Sequence, residues 1–166
     1  MKNNLFLLGA LFILNNCTNF EFVNKTNIDN YFLKNNTELI VDGDNASQIR
    51  VALKEKIGGK KDNFPKYQLS VNSSKTEVAE VIKKDATASK FNIQYSINYD
   101  FYSLYKNCKL FSKKINTISS YNVKSAGYSF GTDLSQSESN AQNINKNINK
   151  FFSSLNARSS VDGCEE

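Results

Sequence analysis

The clearest pattern in the chain is a long alternation of apolar and polar positions in its middle. From Phe91 to Phe101 every second residue is apolar or aromatic, and the residues between them are Asn, Gln, Ser or Asp. A period of two is typical of a β-strand with one buried side and one polar side. After a predicted turn at residues 106–109, apolar positions from Phe111 to Tyr121 indicate a returning strand. We interpret the aromatic residues as core rather than as a ligand platform.

A strand and a helix are predicted before this hairpin. The sequence TELIVDG at residues 37–43 is typical of a short buried strand that ends at an Asp-Gly turn. Ile49, Leu53 and Ile57 then recur every four residues, so they share one face of a helix. Gly58 follows this helix at the position where a left-handed residue commonly ends one.

The remaining elements complete a two-layer fold. Alternation at residues 67–71 predicts another strand, whereas residues 75–89 fit either its continuation or a loop. The capping-box sequence SQSE at residues 135–138 precedes apolar residues at helical spacing, which predict a last helix from about Ser135 to Leu155. The order strand, helix, strand, hairpin, helix predicts an α+β fold. In it, two helices pack on one face of a four-stranded mixed β-sheet, forming a two-layer sandwich.

The beginning of the chain has the features of an export signal. Lys2 precedes an apolar run of about ten residues, which is too short for a membrane span of about 20 residues but suits a signal peptide. Cys17 follows this run, as in bacterial lipoproteins, where the cysteine thiol receives a diacylglycerol and the new amino group an acyl chain. We therefore predict a lipid anchor on Cys17, and no other cofactor. Two or three acyl chains hold a protein firmly in a bilayer.

The residues around the cysteine fit a lipoprotein signal incompletely. Leu14 is the expected apolar residue, but Asn15 and Asn16 replace small residues, so an uncleaved anchor or a cut elsewhere is the alternative. Thr18 is not the Asp that retains lipoproteins in the inner membrane, which favours the outer membrane, facing the periplasm. The predicted division is a signal peptide (1–16), a lipidated tether (17–36), an α+β domain (37–156) and a flexible tail (157–166).

Composition excludes several classes of function. The chain has no His, which removes the commonest general base and metal ligand, and its three cysteines have no CxxC spacing. No carboxylate pair has a spacing that favours a shared hydrolytic site, so we expect no catalytic residues, no metal and no enzymatic activity. The net charge of +5 comes from scattered lysines, and nothing resembles a nucleic-acid-binding motif. We attribute the abundance of Asn to an AT-rich genome.

The pattern resembles a known family, the lipopolysaccharide-assembly lipoproteins called LptE, in its alphaproteobacterial-like branch. The resemblance covers nearly the whole mature chain and is carried by the lipidated cysteine, the long hairpin and three local sequences: residues 47–57, 86–101 and 119–144. It implies a non-enzymatic protein that plugs an outer-membrane β-barrel of the LptD type as a 1:1 heterodimer. Such a protein assists assembly of the barrel and helps to deliver lipopolysaccharide to the cell surface.

The resemblance also implies a phosphate-binding position. Some family members use basic residues in the loop before the long strand to contact lipopolysaccharide phosphates. Lys83 and Lys84 occupy that loop here, with Lys90 at the start of the strand. Near the last helix, where the family can carry another basic residue, this chain has Thr132 and Asp133. The alternative for each lysine is an ordinary solvated surface charge.

Two cysteines remain once Cys17 is lipidated. The long hairpin and the last helix bring Cys108 and Cys164 within reach of each other, and the periplasm is oxidising, so a disulfide between them is one expectation. Free thiols, or a bridge to the barrel partner, are the alternatives. The whole chain also has an alternative interpretation, as a free-standing lipoprotein that binds a lipidic or small ligand without a barrel partner.

Overall fold

The computed structural model describes residues 33–58, 64–82, 88–123, 129–157 and 163–164, so the predicted signal peptide and Cys17 lie outside the described residues. A four-stranded sheet in the order β1-β2-β3-β4 pairs β1 with β2 in parallel and the other neighbours antiparallel. Among the same residues two helices complete the fold, which confirms the predicted α+β class. The elements are β1 (Thr37–Gly43), α1 (Ala46–Ile57), β2 (Tyr67–Ile82), β3 (Ala88–Ser103), β4 (Cys108–Asn122) and α2 (Ser129–Asn156).

The core lies between the sheet and the helices. The apolar side of β3 is at most 1% exposed from Ile93 to Phe101, which confirms its interpretation as core. Tyr99 stacks on Phe151 of α2, with ring centroids 4.2 Å apart. Burying each large apolar side chain contributes about 1.5–3 kcal/mol. The helices contribute buried residues at the predicted spacing: Ile49, Leu53 and Ile57 from α1, and Ile144, Ile148, Phe151 and Leu155 from α2.

Strand β2 is longer than its alternating pattern required. The stretch that fitted either a strand or a loop is strand up to Ile82, because β3 pairs with it along its whole length, ending at Ile82↔Ala88. Strand β1, by contrast, pairs only as far as Gly43↔Ser73. The three antiparallel strands β2, β3 and β4 therefore extend well beyond the end of β1.

Two glycines end elements of the β1–α1 unit. The N–H of Gly58 donates to the Lys54 carbonyl at 2.8 Å. Gly58 ends α1 with a positive φ of 76°, as predicted, but its ψ of 173° is extended rather than that of the left-handed helical region. Gly43 has φ at 95°, and a Cβ there would lie 2.0 Å from the carbonyl oxygen of Ser73. Only glycine fits this close approach between β1 and β2.

Helix α2 begins at Ser129, so the predicted start near Ser135 is wrong. The capping-box sequence lies inside the helix, where Gln136 reaches across to the sheet and donates to both carboxylate oxygens of Glu77 at 3.1 Å. This tertiary contact joins the first turns of α2 to β2. The spacing of residues in the sequence does not predict this contact between Gln136 and Glu77.

The packed body begins before the predicted domain boundary at residue 37. Leu33 is 1% exposed, and its carbonyl accepts a hydrogen bond from the Thr37 hydroxyl at 3.0 Å. The backbone N–H of Asn35 also donates to Ile57 at 3.1 Å. Residues 33–36, which were predicted to belong to the tether, are therefore part of the folded body.

Candidate functional site

The side of the sheet that faces away from the helices, here called the open face, is broad and polar. Across its centre the cross-strand neighbours are uncharged, as in the row formed by Ser74, Ser96 and Asn116. The alternation of the strands produces this face, because every side chain opposite the apolar stripe points to it. Its Asn, Gln, Ser and Thr members are Gln68, Ser70, Asn72, Ser74, Thr76, Asn92, Gln94, Ser96, Asn98, Ser112, Asn116, Ser120 and Asn122. Val78 and Ile118 are exposed apolar members of the same face.

Charges on this face lie towards its ends and on its two outer strands, with Glu38 and Asp42 on β1. Near the β3–β4 turn, Asp100 accepts hydrogen bonds from Asn98 and Ser112, both at 2.7 Å, and pairs with Lys109 at 3.1 Å. The hydrogen bond to Asp100 is the main cause that raises the pKa of Lys109. Lys114 lies beside Asn98 on β4. The centre of the open face therefore offers hydrogen-bond donors and acceptors with little net charge.

Of the three lysines predicted to bind phosphate, the structure describes Lys90. Lys83 and Lys84 lie outside the described residues. Lys90 is at the far end of the open face, where its ammonium group pairs with Glu80 at 2.7 Å. An anion at Lys90 would have to compete with this carboxylate.

Three buried asparagines on α2 join the helix to the sheet, and the sequence interpretation missed them. Asn147 donates to the Ile115 carbonyl and the Thr117 hydroxyl, each at 2.9 Å, and accepts from the Tyr99 hydroxyl at 2.9 Å. Asn143 donates to the Ile93 carbonyl at 2.8 Å. These contacts, with Asn140, form what we call the asparagine ladder.

The ladder and its tyrosines are held in a dry environment. The Tyr95 hydroxyl lies 2.8 Å from Asn45 Oδ1 and 3.1 Å from Asn140 Oδ1. Burial is the main cause that raises the pKa of Tyr95 to about 12, and burial likewise raises the pKa of Tyr99. Both hydroxyls therefore stay protonated as hydrogen-bond donors. The ladder is structural, since its polar groups are turned inward.

A second polar cluster surrounds Glu77 near the start of α2. Tyr121 and Gln136 donate to its carboxylate, and Lys75 pairs with it at 3.2 Å. Burial alone would raise the pKa of Glu77, but these hydrogen bonds and the Lys75 charge outweigh it and lower the pKa. Burial, and after it the hydrogen bond to Glu77, raises the pKa of Tyr121. The cluster ties β2, β4 and α2 together.

The structure joins Cys108 and Cys164 as a disulfide, with their Cα atoms 5.8 Å apart. Cys108 begins β4, next to the β3–β4 turn, and Cys164 belongs to the tail that was predicted to be flexible. The bridge closes a separation of 56 residues. It fixes this part of the tail against the end of the long hairpin.

Other features add no chemistry to the open face. A groove of about 370 Å³ lies between the helices, lined by Val51, Ala52, Ala141 and Ile144 among others. In the described ranges, no group of three or more His, Cys, Asp or Glu side chains is placed to hold a metal ion. No helix within those ranges combines the length and the apolar character needed to cross a membrane.

Comparison with known proteins shows where this fold occurs. No protein-family model and no curated protein matches the chain. A candidate lipoprotein from Caulobacter crescentus CB15 superposes with a TM-score of 0.58 at 14% identity, covering 74% of this chain and 89% of its own. A minor lipoprotein from Acinetobacter baumannii superposes with a TM-score of 0.50 at 14% sequence identity. The match covers 73% of this chain and 90% of that one. The rare lipoprotein B from Shewanella oneidensis superposes with a TM-score of 0.49 at 10% sequence identity, and the match covers 74% of this chain and 95% of that one.

These structural similarities show which kind of protein shares the fold. The chain has a fold that is shared with bacterial lipoproteins over about three quarters of its length. At such low identity the likeness concerns the fold. Function must be argued from the surface of this chain.

Proposed function

We propose that this chain is an outer-membrane lipoprotein that plugs a lipopolysaccharide-exporting β-barrel, assists assembly of that barrel and helps lipopolysaccharide to reach the cell surface. The open face is the observation that carries the proposal. It is a surface on three long strands whose centre is dominated by uncharged Asn, Gln, Ser and Thr side chains, with Val78 and Ile118 as exposed apolar members. The interior of a membrane β-barrel is polar, and such a face can form many hydrogen bonds with it.

The lipoprotein fold and the sequence of the amino terminus support the same role. A lipid on Cys17 would hold the body at a membrane while the complex assembles. The disulfide supports a location of this protein in an oxidising compartment, because disulfides persist outside the cytosol and are rare within it. In this proposal the anchor serves delivery and the body is the working part, with no enzymatic activity and a 1:1 complex.

Two variants test the proposal directly. Ser96→Arg places a long charged side chain at the centre of the open face, where Ser74 and Asn116 are its neighbours. Asn149→Arg introduces the same side chain on the exposed side of α2 and is the matched control. Tagged chains would be purified from native outer membranes by mild extraction.

We expect the unmodified chain and Asn149→Arg to co-purify with a barrel protein of several hundred residues in equal amounts. Ser96→Arg should lose that protein while its circular dichroism and thermal midpoint stay unchanged. Recovery of the unmodified chain always alone would overturn the proposal. That result would favour the free-standing lipoprotein, for which the groove between the helices is the place to seek a lipidic or small ligand.

A further inference from the structure

The four strands have one end in common, where the paired residues are Thr37, Tyr67, Ser103 and Cys108. We call it the entry end, because the described chain enters the fold there. Just before β1, the Asn36 carbonyl accepts hydrogen bonds from the N–H groups of Lys66 and Tyr67 at 2.9 and 3.1 Å. A tether that leads from Cys17 to the body therefore arrives at the entry end.

Large apolar and aromatic side chains are exposed on two neighbouring segments of the entry end. The N–H of Leu104 donates to the Lys66 carbonyl at 2.9 Å, which holds the turn after β3 against the segment before β2. Phe64 is 87% exposed, Leu104 42% and Tyr105 90%. Among the described residues, no other large apolar side chain is as exposed as Phe64 and Tyr105. A cluster of this kind marks an interaction site rather than a chance surface residue.

Lysines accompany these side chains at the entry end. Helix α1 also ends here, because the N–H of Asn35 donates to the Ile57 carbonyl at 3.1 Å. The exposed lysines of these segments are Lys34, Lys54, Lys56, Lys66 and Lys106. The acidic side chains of the same segments are Glu38 and Glu55. The entry end therefore combines exposed aromatic rings with an excess of positive charge, which favours anionic lipid headgroups.

We propose that the entry end docks on the phospholipid surface of the bilayer, with Phe64, Leu104 and Tyr105 in its interfacial region. A tyrosine ring suits this level of a bilayer, because its body is apolar and its hydroxyl stays hydrated. Lysine stems can cover apolar surface while their ammonium groups stay among the phosphates. The proposal rests on the lipid anchor of the proposed function but not on a barrel. The contact belongs to the free lipoprotein, before its body enters a partner.

The position of the anchor selects the bilayer as the occupant. A lipid on Cys17 fixes one end of the tether in the membrane, and residues 18–32 span at most about 50 Å. The entry end is thus the part of the body that is kept nearest to the lipid. The other end of β2, at Ile82, lies about 50 Å further along the strand. Docking through the entry end directs the long strands away from the bilayer and leaves the open face accessible to a partner.

A single tryptophan tests this contact, because the chain has none of its own. Tyr105→Trp places the probe at the entry end. Ile82→Trp is the matched control, because Ile82 is 65% exposed at the other end of β2. Each chain would be expressed in full, extracted in mild detergent and reconstituted, without a barrel protein, into vesicles of phosphatidylethanolamine and phosphatidylglycerol. A second set of vesicles contains phospholipids brominated near the headgroup end of their acyl chains, which quench nearby tryptophan.

We expect the emission of Tyr105→Trp to shift to the blue in vesicles and to fall in brominated ones, whereas that of Ile82→Trp stays the same in both. Adding Phe64→Glu to Tyr105→Trp should restore the emission, and adding Ile118→Glu, at a 56% exposed position on β4, should not. Intact mass reports separately whether Cys17 carries its lipid.

Two results would overturn the proposal. Equal emission of Tyr105→Trp in the two kinds of vesicle would show that the entry end stays out of the bilayer, and would assign it to a protein partner. Equal quenching of Tyr105→Trp and Ile82→Trp would show that the body has no preferred orientation on the lipid. Because no barrel is present, neither result depends on whether the chain plugs one.

Discussion

Replacing Asn147 by leucine is the sharpest test of how α2 is held on the sheet. Asn147 is fully buried and makes three hydrogen bonds of 2.9 Å, to Tyr99, Ile115 and Thr117. Leucine has a similar size but leaves the buried hydroxyls of Tyr99 and Thr117 without this partner. At about 1–3 kcal/mol for each of these two unsatisfied groups, we expect a loss of about 2–6 kcal/mol in the free energy of unfolding.

The assay is equilibrium urea unfolding followed by circular dichroism, with Asn149→Leu as the control on the exposed side of the same helix. The control should change stability by no more than about 0.5 kcal/mol. Tyr99→Phe should itself be destabilising, because it leaves the Asn147 oxygen without a donor. Combined with Asn147→Leu it removes both partners, so the double variant should be more stable than the sum of the single changes by about 1 kcal/mol or more. Additivity within about 0.3 kcal/mol would refute the reasoning.

Three further predictions concern other contacts. Glu77→Gln should lower the free energy of unfolding at neutral pH. Because the pKa of Glu77 is lowered in the fold, the difference in stability from the unmodified chain should shrink as pH falls below 4.5. A difference in urea unfolding that does not change with pH would contradict this. Reduction of the Cys108–Cys164 disulfide should lower stability by about 2–4 kcal/mol, measured as a shift of the urea midpoint, whereas an unchanged midpoint would show that the bridge is dispensable. Gly43→Ala should destabilise the fold more than Gly163→Ala, which meets open space, and equal thermal midpoints would refute the close contact at Gly43.

The regular parts of the fold were predictable because each rests on a local period. The alternation from Phe91 to Phe101 determined both sides of β3, and the spacing of Ile49, Leu53 and Ile57 determined the buried face of α1. The polar residues between the apolar positions of β3 also marked part of the open face. Binary pattern was therefore enough for the fold class and for one strand of the candidate surface.

The helix–sheet contacts were not predictable, because their partners are distant in sequence. Asn143 and Asn147 fill a run in which every second residue is Asn, and composition suggested a genomic bias rather than a buried role. Their partners lie 30 to 50 residues away on β3 and β4. The contact of Gln136 with Glu77 was missed for the same reason, since it spans 59 residues.

The central claim is that the open face lies against a barrel, and cross-linking from that face in native membranes tests it most directly. A photo-reactive residue at position 96, replacing Ser96, would be compared with one at position 149, replacing Asn149 on the exposed side of α2. The account predicts that the probe at position 96 forms a single adduct with a membrane β-barrel of several hundred residues, and does so more strongly than the probe at position 149. No adduct from position 96, or adducts with the same mixture of proteins from both positions, would contradict it.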